Sequence, residues 1–151
     1  MILYLDASAL VKRYIAEKNS QDVSAWISSA DSTVTSLITR SEVAAAIGRA
    51  HRMKIISHDE AWLALETFRK EWGSLQRLPV TEATVERGDS LAWEHDLCGY
   101  DAVHLATALL WQETLGMPVT MATFDVQLSE VAKKIGMTVL PSLEKSGQPL
   151  R

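Results

Sequence analysis

The chain has one cysteine, no long apolar run and no excess of positive charge. Because Cys98 is the single cysteine, an internal disulfide and a site of several thiolate ligands are both excluded, and such usage suits the reducing cytosol. No apolar stretch approaches the ~20 residues of a transmembrane helix. The N-terminus also lacks the charged and then apolar pattern of a signal peptide. We therefore expect a soluble, cytoplasmic protein that does not enter a membrane.

The formal net charge of −4 speaks against a protein that binds nucleic acid through overall charge. It does not exclude a nuclease, because clustered carboxylates can hold divalent cations that supply positive charge next to a phosphate. With 151 residues, of which 47% are hydrophobic, the chain has the size and composition of one globular domain. It shows no internal repeat and no interdomain linker. We predict one domain over residues 1–141 and a loose tail over 142–151.

Segments with the character of β-strands alternate with segments of helical periodicity along the whole chain. The predicted strands are ILYLD, STVTSL, RLPV, VTMAT and MTVL. The predicted helices are SALVKRYIAE, QDVSAWISSA, SEVAAAIGRAHRM, EAWLALETFRKEW, TEATVERGDSLAWEHD, AVHLATALLWQETL and SEVAKKIG. Several strands are unbroken apolar runs, which is typical of strands buried on both faces. The pattern predicts a single α/β domain in which helices cover both faces of a central parallel sheet, an α/β/α sandwich.

Four acidic residues are expected at the carboxyl edge of this sheet. Asp6 closes the first strand, and Asp125 follows the strand VTMAT. Asp101 opens the most apolar helix, and Glu42 lies in the first turn of the helix after the second strand. Ligands of open parallel sheets bind outside the carboxyl ends of the strands. The four carboxylates are therefore predicted to converge on one site.

Such convergence is unfavourable without a compensating charge. Two carboxylates ~4 Å apart repel each other by about 4 kcal/mol at an effective dielectric constant near 20, and each helix dipole recovers only about 0.3–1 kcal/mol. A hard divalent cation offsets the repulsion, and Mg²⁺ and Mn²⁺ take oxygen ligands of this kind. The sequence therefore predicts a site for Mg²⁺ or Mn²⁺.

Each acid also has a simpler explanation. Asp6, Asp101 and Asp125 stand where helix N-caps are found, and an acid in a first helical turn, such as Glu42, is commonplace. Ser8 stands at the expected N-cap position of the first helix. These explanations stay open at this point.

The histidine and the basic residues near the acids allow two readings as well. His104 follows Asp101 by three residues and shares its helix face, but a histidine there more often serves packing or lies at the surface. Lys12, Arg13 and Arg49 are typical of solvated helix charges, yet they lie close enough to the acids in sequence to contact flanking phosphates.

Four sequence features together resemble a PIN domain, and more narrowly a VapC-type toxin of a type II toxin–antitoxin pair. They are D-x-S after a hydrophobic strand, a Glu in a later helix, GYDAVHLATA, and T-F-D-x-x-L before the last strand. GYDAVHLATA is the most specific of them. The resemblance extends from Asp6 to Val139.

The resemblance implies a single-stranded RNA endonuclease that depends on Mg²⁺ or Mn²⁺. The positions that match the family's acidic quartet are Asp6, Glu42, Asp101 and Asp125. Ser8 and Thr123 match polar residues that support this quartet. The cation would lower the pKa of a bound water, whose attack would leave a 5′-phosphate and a 3′-hydroxyl.

The resemblance also implies a cognate, VapB-like antitoxin and a homodimer, and helices around Trp62 and Trp72 would suit either contact. The main alternative is a catalytically weak PIN-like module that acts by binding protein or RNA. A phosphatase or a receiver-like domain disagrees with the residues, because Ser8 stands where such phosphatases need a second Asp, and Lys133 and Lys134 lie inside a predicted helix.

Overall fold

Five parallel strands form one sheet in the order β3-β2-β1-β4-β5. The computed structural model describes residues 1–142, so the predicted tail lies outside the described residues except for its first position. The strands are β1 (Ile2–Leu5), β2 (Ser32–Ser36), β3 (Gln76–Leu78), β4 (Val119–Ala122) and β5 (Thr138–Leu140). Each coincides with a predicted strand to within two residues. The first strand is central, with β2 on one side and β4 on the other.

Seven α-helices connect the strands within residues 1–142. They are α1 (Ala7–Leu10), α2 (Ser20–Ser29), α3 (Thr39–Arg52), α4 (His58–Glu71), α5 (Glu82–His95), α6 (Gly99–Leu115) and α7 (Val126–Lys134). Short 3-10 turns follow α1 at Val11–Arg13 and α4 at Trp72–Ser74. None of the helices in this part of the chain is both long and apolar enough to cross a bilayer.

The central strand sends its side chains alternately into two hydrophobic cores, because successive residues of a strand point to opposite faces. Leu3 and Leu5 are fully buried among side chains of α1, α3 and α4, against which α2 also packs. Tyr4 is fully buried in the other core, among side chains of α5, α6 and α7. Helices therefore cover both faces of the sheet, and the predicted α/β/α sandwich is confirmed.

The first helix is much shorter than predicted. The sequence suggested a helix over residues 8–17, but α1 ends at Leu10 and continues only as a 3-10 turn. The chain then leaves the helix axis because tertiary contacts compete with helical propensity. Tyr14 donates a hydrogen bond from its hydroxyl to Glu71 at 2.9 Å, and its ring packs edge-on against Phe68.

Replacing Ser57 with alanine should destabilise α4. The Ser57 hydroxyl accepts a hydrogen bond of 3.1 Å from the backbone N–H of Glu60 and so caps the helix. Removing such a cap costs about 1 kcal/mol, and we expect that loss in the free energy of unfolding measured with urea. Ser57→Asp keeps a capping oxygen and should stay close to wild type. Equal losses in the two variants would contradict the assignment.

Candidate active site

The carboxylate of Asp6 is buried at the carboxyl end of β1, where this strand lies beside β4. It is only 3% exposed, and three donors offset part of the cost of burying its charge. Oδ2 accepts a hydrogen bond of 2.5 Å from Thr123 Oγ1, and Oδ1 accepts bonds of 2.7 Å from Ser8 Oγ and 2.9 Å from the Ala9 backbone N–H. Burial nevertheless raises the pKa of Asp6, although nearby His104 and these hydrogen bonds oppose the rise.

Ser8 does not cap the first helix, and that prediction is wrong. The N-cap is Asp6, so its simpler explanation as a helix cap is correct. Ser8 lies inside α1, where its hydroxyl donates to Asp6 and accepts a bond of 2.8 Å from the backbone N–H of Phe124. Ser8 thereby ties the end of β1 to the segment that follows β4.

Asp101 lies in the first turn of α6 and is half-buried. The loop predicted at LCGYD is shorter than expected, because α6 already begins at Gly99. Cys98, and not Asp101, therefore occupies the N-cap position. The Cys98 thiol donates a hydrogen bond of 2.9 Å to Asp101 Oδ2.

Burial and neighbouring charges both change the pKa of Asp101. Burial raises this pKa, and the negative charges of Asp125 and Glu42 raise it further, whereas the bond from Cys98 and the neighbouring His104 lower it. These acids belong to three different helices or their caps. Asp101 therefore lies close enough to Asp125 and Glu42 to be affected by their negative charges.

Asp125 is the N-cap of α7, which confirms its simpler explanation too. Oδ1 accepts a hydrogen bond of 2.8 Å from the backbone N–H of Leu128, and the backbone N–H of Asp125 donates 3.1 Å to Thr123 Oγ1. This capping extends α7 towards its N-terminus beyond the predicted start. Because the cap uses Oδ1, capping and binding a cation are compatible roles for this residue.

Glu42 is connected to the centre of the sheet through His104, a contact that sequence reasoning missed. His104 is 1% exposed. Its Nε2 lies 2.6 Å from Glu42 Oε1, and its Nδ1 lies 2.7 Å from the hydroxyl of Tyr4. Burial and the charge of Asp6 raise the pKa of Tyr4 well above its usual value, so the phenol stays protonated. The shared helix face with Asp101 was the one available signal.

The four carboxylates fit a hard divalent cation in chemistry, although they do not form a preformed cage. All four present oxygen donors, which Mg²⁺ and Mn²⁺ prefer. Burial raises the pKa of Asp6 and of Asp101, and the negative charges of Asp125 and Glu42 add to the rise at Asp101. Within residues 1–142, no three His, Cys, Asp or Glu side chains lie close enough together to enclose an ion as they stand.

Lys12 and Arg13, two of the three residues predicted to contact a phosphate, already bind other residues of the protein. Lys12 Nζ lies 3.2 Å from Glu17 Oε1 and 4.5 Å from the centre of the Phe124 ring. Arg13 binds both carboxylate oxygens of Glu71, at 2.7 and 3.2 Å. A phosphate would have to compete with these partners.

Arg49 is exposed on α3, seven residues after Glu42. Two helical turns separate the residues, so they share one side of the helix about 10 Å apart along its axis. Arg49 differs from Lys12 and Arg13 in that its exposed side chain forms no hydrogen bond or ion pair with residues 1–142, so a phosphate would not have to displace a partner there.

The comparisons with known proteins agree with this fold. The family model of the PIN domain matches residues 3–134. The chain is 32% identical to Ribonuclease VapC45 of Mycobacterium tuberculosis over 142 residues, which cover 93% of this chain and 96% of the relative.

Two solved structures share the fold at lower identity. VapC20 of Mycobacterium tuberculosis, described as a sarcin-ricin loop cleaving toxin, aligns with a TM-score of 0.65 at 16% identity and covers 90% of this chain and 96% of its own. A toxin–antitoxin complex from Klebsiella pneumoniae aligns with a TM-score of 0.58 at 19% identity, over 83% of this chain and 88% of that chain. The match to the family model and the VapC relative together establish that this chain belongs to the PIN domain family, among the VapC ribonucleases.

Proposed function

We propose that the protein is the toxin of a toxin–antitoxin pair and hydrolyses phosphodiester bonds in single-stranded or loop RNA. The observation that carries the proposal is the pair of hydrogen bonds through Thr123, whose hydroxyl donates to the buried Asp6 and accepts from the backbone N–H of Asp125. Nearby, burial raises the pKa of Asp101, and the negative charges of Asp125 and Glu42 raise it further. Kinship with proteins named ribonucleases supports the reaction class. Single-stranded loops are the usual RNA targets of proteins, because their unstacked bases are accessible.

In this proposal Asp6, Glu42, Asp101 and Asp125 hold Mg²⁺ or Mn²⁺. A cation bound there would supply positive charge for the scissile phosphate and lower the pKa of an attacking water. Ser8 and Thr123 orient Asp6, since each donates to a different carboxylate oxygen. The buried position of Asp6 limits the water around the site, which strengthens every charge interaction inside it.

Arg49 is proposed to contact an RNA phosphate, with Lys12 and Arg13 as further contacts if they exchange their present partners. Arg49→Gln should weaken RNA binding about 3- to 10-fold. It should also reduce the slope of the logarithm of the binding constant against the logarithm of salt concentration by about one. The binding titration would use a catalytically disabled background at several salt concentrations. Lys134→Gln, at the far end of α7, removes the same charge and serves as the control. Equal losses in both variants would contradict a local role for Arg49.

A VapB-like antitoxin, a second copy of the chain and cytoplasmic RNA are the proposed partners, and the cytoplasm is the proposed location. The structural similarity to a chain of a toxin–antitoxin complex supports the antitoxin. One detail of the predicted contact surface is wrong: Trp72 is buried against Phe68 in the core, whereas Trp62 is half exposed. Trp62 therefore remains available for contact and Trp72 does not.

The test of the proposed function is cleavage of a labelled pool of cellular RNA by the purified, antitoxin-free protein. Reactions would contain Mg²⁺, Mn²⁺ or EDTA. We expect discrete cuts with either cation and none with EDTA. Binding of RNA without cleavage by the folded protein would favour the alternative, a module that acts through binding.

A further inference from the structure

Two hydrogen bonds through His104 on α6 connect β1 to α3. This chain of bonds starts at the Tyr4 hydroxyl, passes through both ring nitrogens of His104 and ends at Glu42 Oε1, with distances of 2.7 and 2.6 Å. Tyr4 is fully buried and His104 is 1% exposed, while the Glu42 side chain keeps 26% of its surface accessible. The chain therefore has a buried anchor and a carboxylate at its accessible end.

The direction of the second bond follows from the chemistry of its partners. A carboxylate only accepts hydrogen bonds, so His104 Nε2 must carry the hydrogen that it shares with Glu42. Nδ1 faces the Tyr4 hydroxyl, which holds the ring plane in place. The edge-on packing of the two rings, 5.9 Å between centres, restricts the imidazole further.

The helix bearing Glu42 does not by itself hold this carboxylate in place. Glu42 is in the first turn of α3, and the N-cap residue, Ile38, makes no capping side-chain bond. A glutamate has several rotatable bonds, so holding its carboxylate in one position costs rotamer freedom. The bond from His104 selects one position of Oε1 and leaves Oε2 for another partner.

We propose that His104 is a positioning residue that orients Glu42 for the divalent cation of the active site. The inference rests on the proposed function, because it needs a cation site that includes Glu42. Partners that orient a metal-binding side chain typically contribute 10- to 100-fold to metal affinity. His104 on α6 thereby joins Tyr4 of β1 to Glu42 of α3 by polar contacts.

Two substitutions separate the contact with Glu42 from the contact with Tyr4. The amide nitrogen of glutamine lies as many bonds from the backbone as Nε2 of histidine, so His104→Gln can still donate to Glu42. The amide of asparagine matches Nδ1 instead, so His104→Asn keeps a partner for Tyr4 and loses the donor to Glu42. A purely structural role of the ring would not distinguish these variants in this way.

The experiment measures Mn²⁺ binding in the absence of RNA by electron paramagnetic resonance of the free ion, with circular dichroism as the check on folding. We expect His104→Asn to weaken Mn²⁺ binding about tenfold or more and His104→Gln to stay within about threefold of wild type. In a Glu42→Ala background, His104→Asn should have no further effect.

Other results would contradict either the positioning role of His104 or the cation site itself. If wild type binds Mn²⁺ and His104→Asn binds it equally well, or if both His104 variants weaken it equally, the positioning role is wrong and the cation site stands. If wild type binds no Mn²⁺, the proposed cation site and the positioning role both fall.

A second variant tests the same proposal if His104→Asn does not fold. Tyr4→Phe removes only the hydroxyl that anchors the ring, and it should weaken Mn²⁺ binding about threefold in wild type and not at all in Glu42→Ala. An equal effect in both backgrounds, or none in wild type, would overturn the proposal.

Discussion

Replacing Asp6 with asparagine is expected to reduce RNA cleavage at least about 1,000-fold. A thousandfold loss corresponds to about 4 kcal/mol of transition-state stabilisation, which is within the several kcal/mol that a catalytic cation contributes. Asparagine preserves the shape of the side chain and can still accept the bonds that Ser8 and Ala9 now donate to Oδ1. The loss should therefore reflect the missing charge and not a disrupted fold.

The same substitution should raise the free energy of unfolding of the metal-free protein at neutral pH. Burial raises the pKa of Asp6 in the folded state, so the native protein binds this proton more tightly than the unfolded chain does. Stability contributed by this group is then largest at acidic pH and falls as the pH rises from the ordinary aspartate range, about 4, through the raised value. The advantage of Asp6→Asn should be small near pH 4 and grow towards neutral pH.

The check combines cleavage assays with urea unfolding of metal-free protein at several pH values. Asp89→Asn, an exposed change of the same kind on α5, is the matched control and should keep wild-type activity and stability. An Asp6→Asn protein that is folded and still cleaves RNA within tenfold of wild type would contradict the role of Asp6. A stability advantage that does not grow with pH would contradict the assigned cause of its raised pKa.

Saturating Mn²⁺ is expected to stabilise wild type by about 2.7 kcal/mol at a concentration one hundred times its dissociation constant. For a chain of this length, that gain corresponds to a rise in melting temperature of about 5–10 °C. Burial raises the pKa of Asp101, and the negative charges of Asp125 and Glu42 raise it further, so a bound cation would offset both the burial of this charge and the repulsion. Asp101→Asn should lose most of the gain, because it removes a ligand and part of the repulsion together.

Thermal unfolding at constant ionic strength tests this second expectation. Asp89→Asn should show the full rise with Mn²⁺, and a matching concentration of monovalent salt should produce little change in either protein. If Asp101→Asn gained as much as wild type, the cation would be binding elsewhere and the assignment of Asp101 as a ligand would be wrong.

Much of the fold could be predicted because local sequence and tertiary structure agree. The apolar run Ile2–Leu5 is buried on both faces, as expected of a central parallel strand, and each predicted strand has its counterpart in the sheet. The acids could be placed near one another because parallel strands share a carboxyl edge. Asp6 and Asp125 proved to be helix caps at that edge, so the simpler explanation and the functional hypothesis apply to the same residues.

The remaining features depend on contacts between residues far apart in sequence. The sequence near His104 does not predict that its ring contacts Tyr4, 100 residues away, and Glu42, 62 residues away. The early end of α1 follows from partners in α4, such as Glu71, which pairs with Arg13. The sequence around Arg13 would be the same whether Arg13 binds a carboxylate of the fold or a phosphate of RNA. The sequence alone therefore does not reveal its partner.

The most direct test of the central claim is the chemistry of the RNA ends that wild type produces and Asp6→Asn does not. Water activated at a carboxylate-held cation should leave 5′-phosphates and 3′-hydroxyls, and mapping of fragment ends with enzymes specific for 5′-phosphates will detect them. Fragments with 5′-hydroxyls and 2′,3′-cyclic phosphates would mean that the ribose 2′-hydroxyl attacks instead. That result would contradict the proposed role of the four acids.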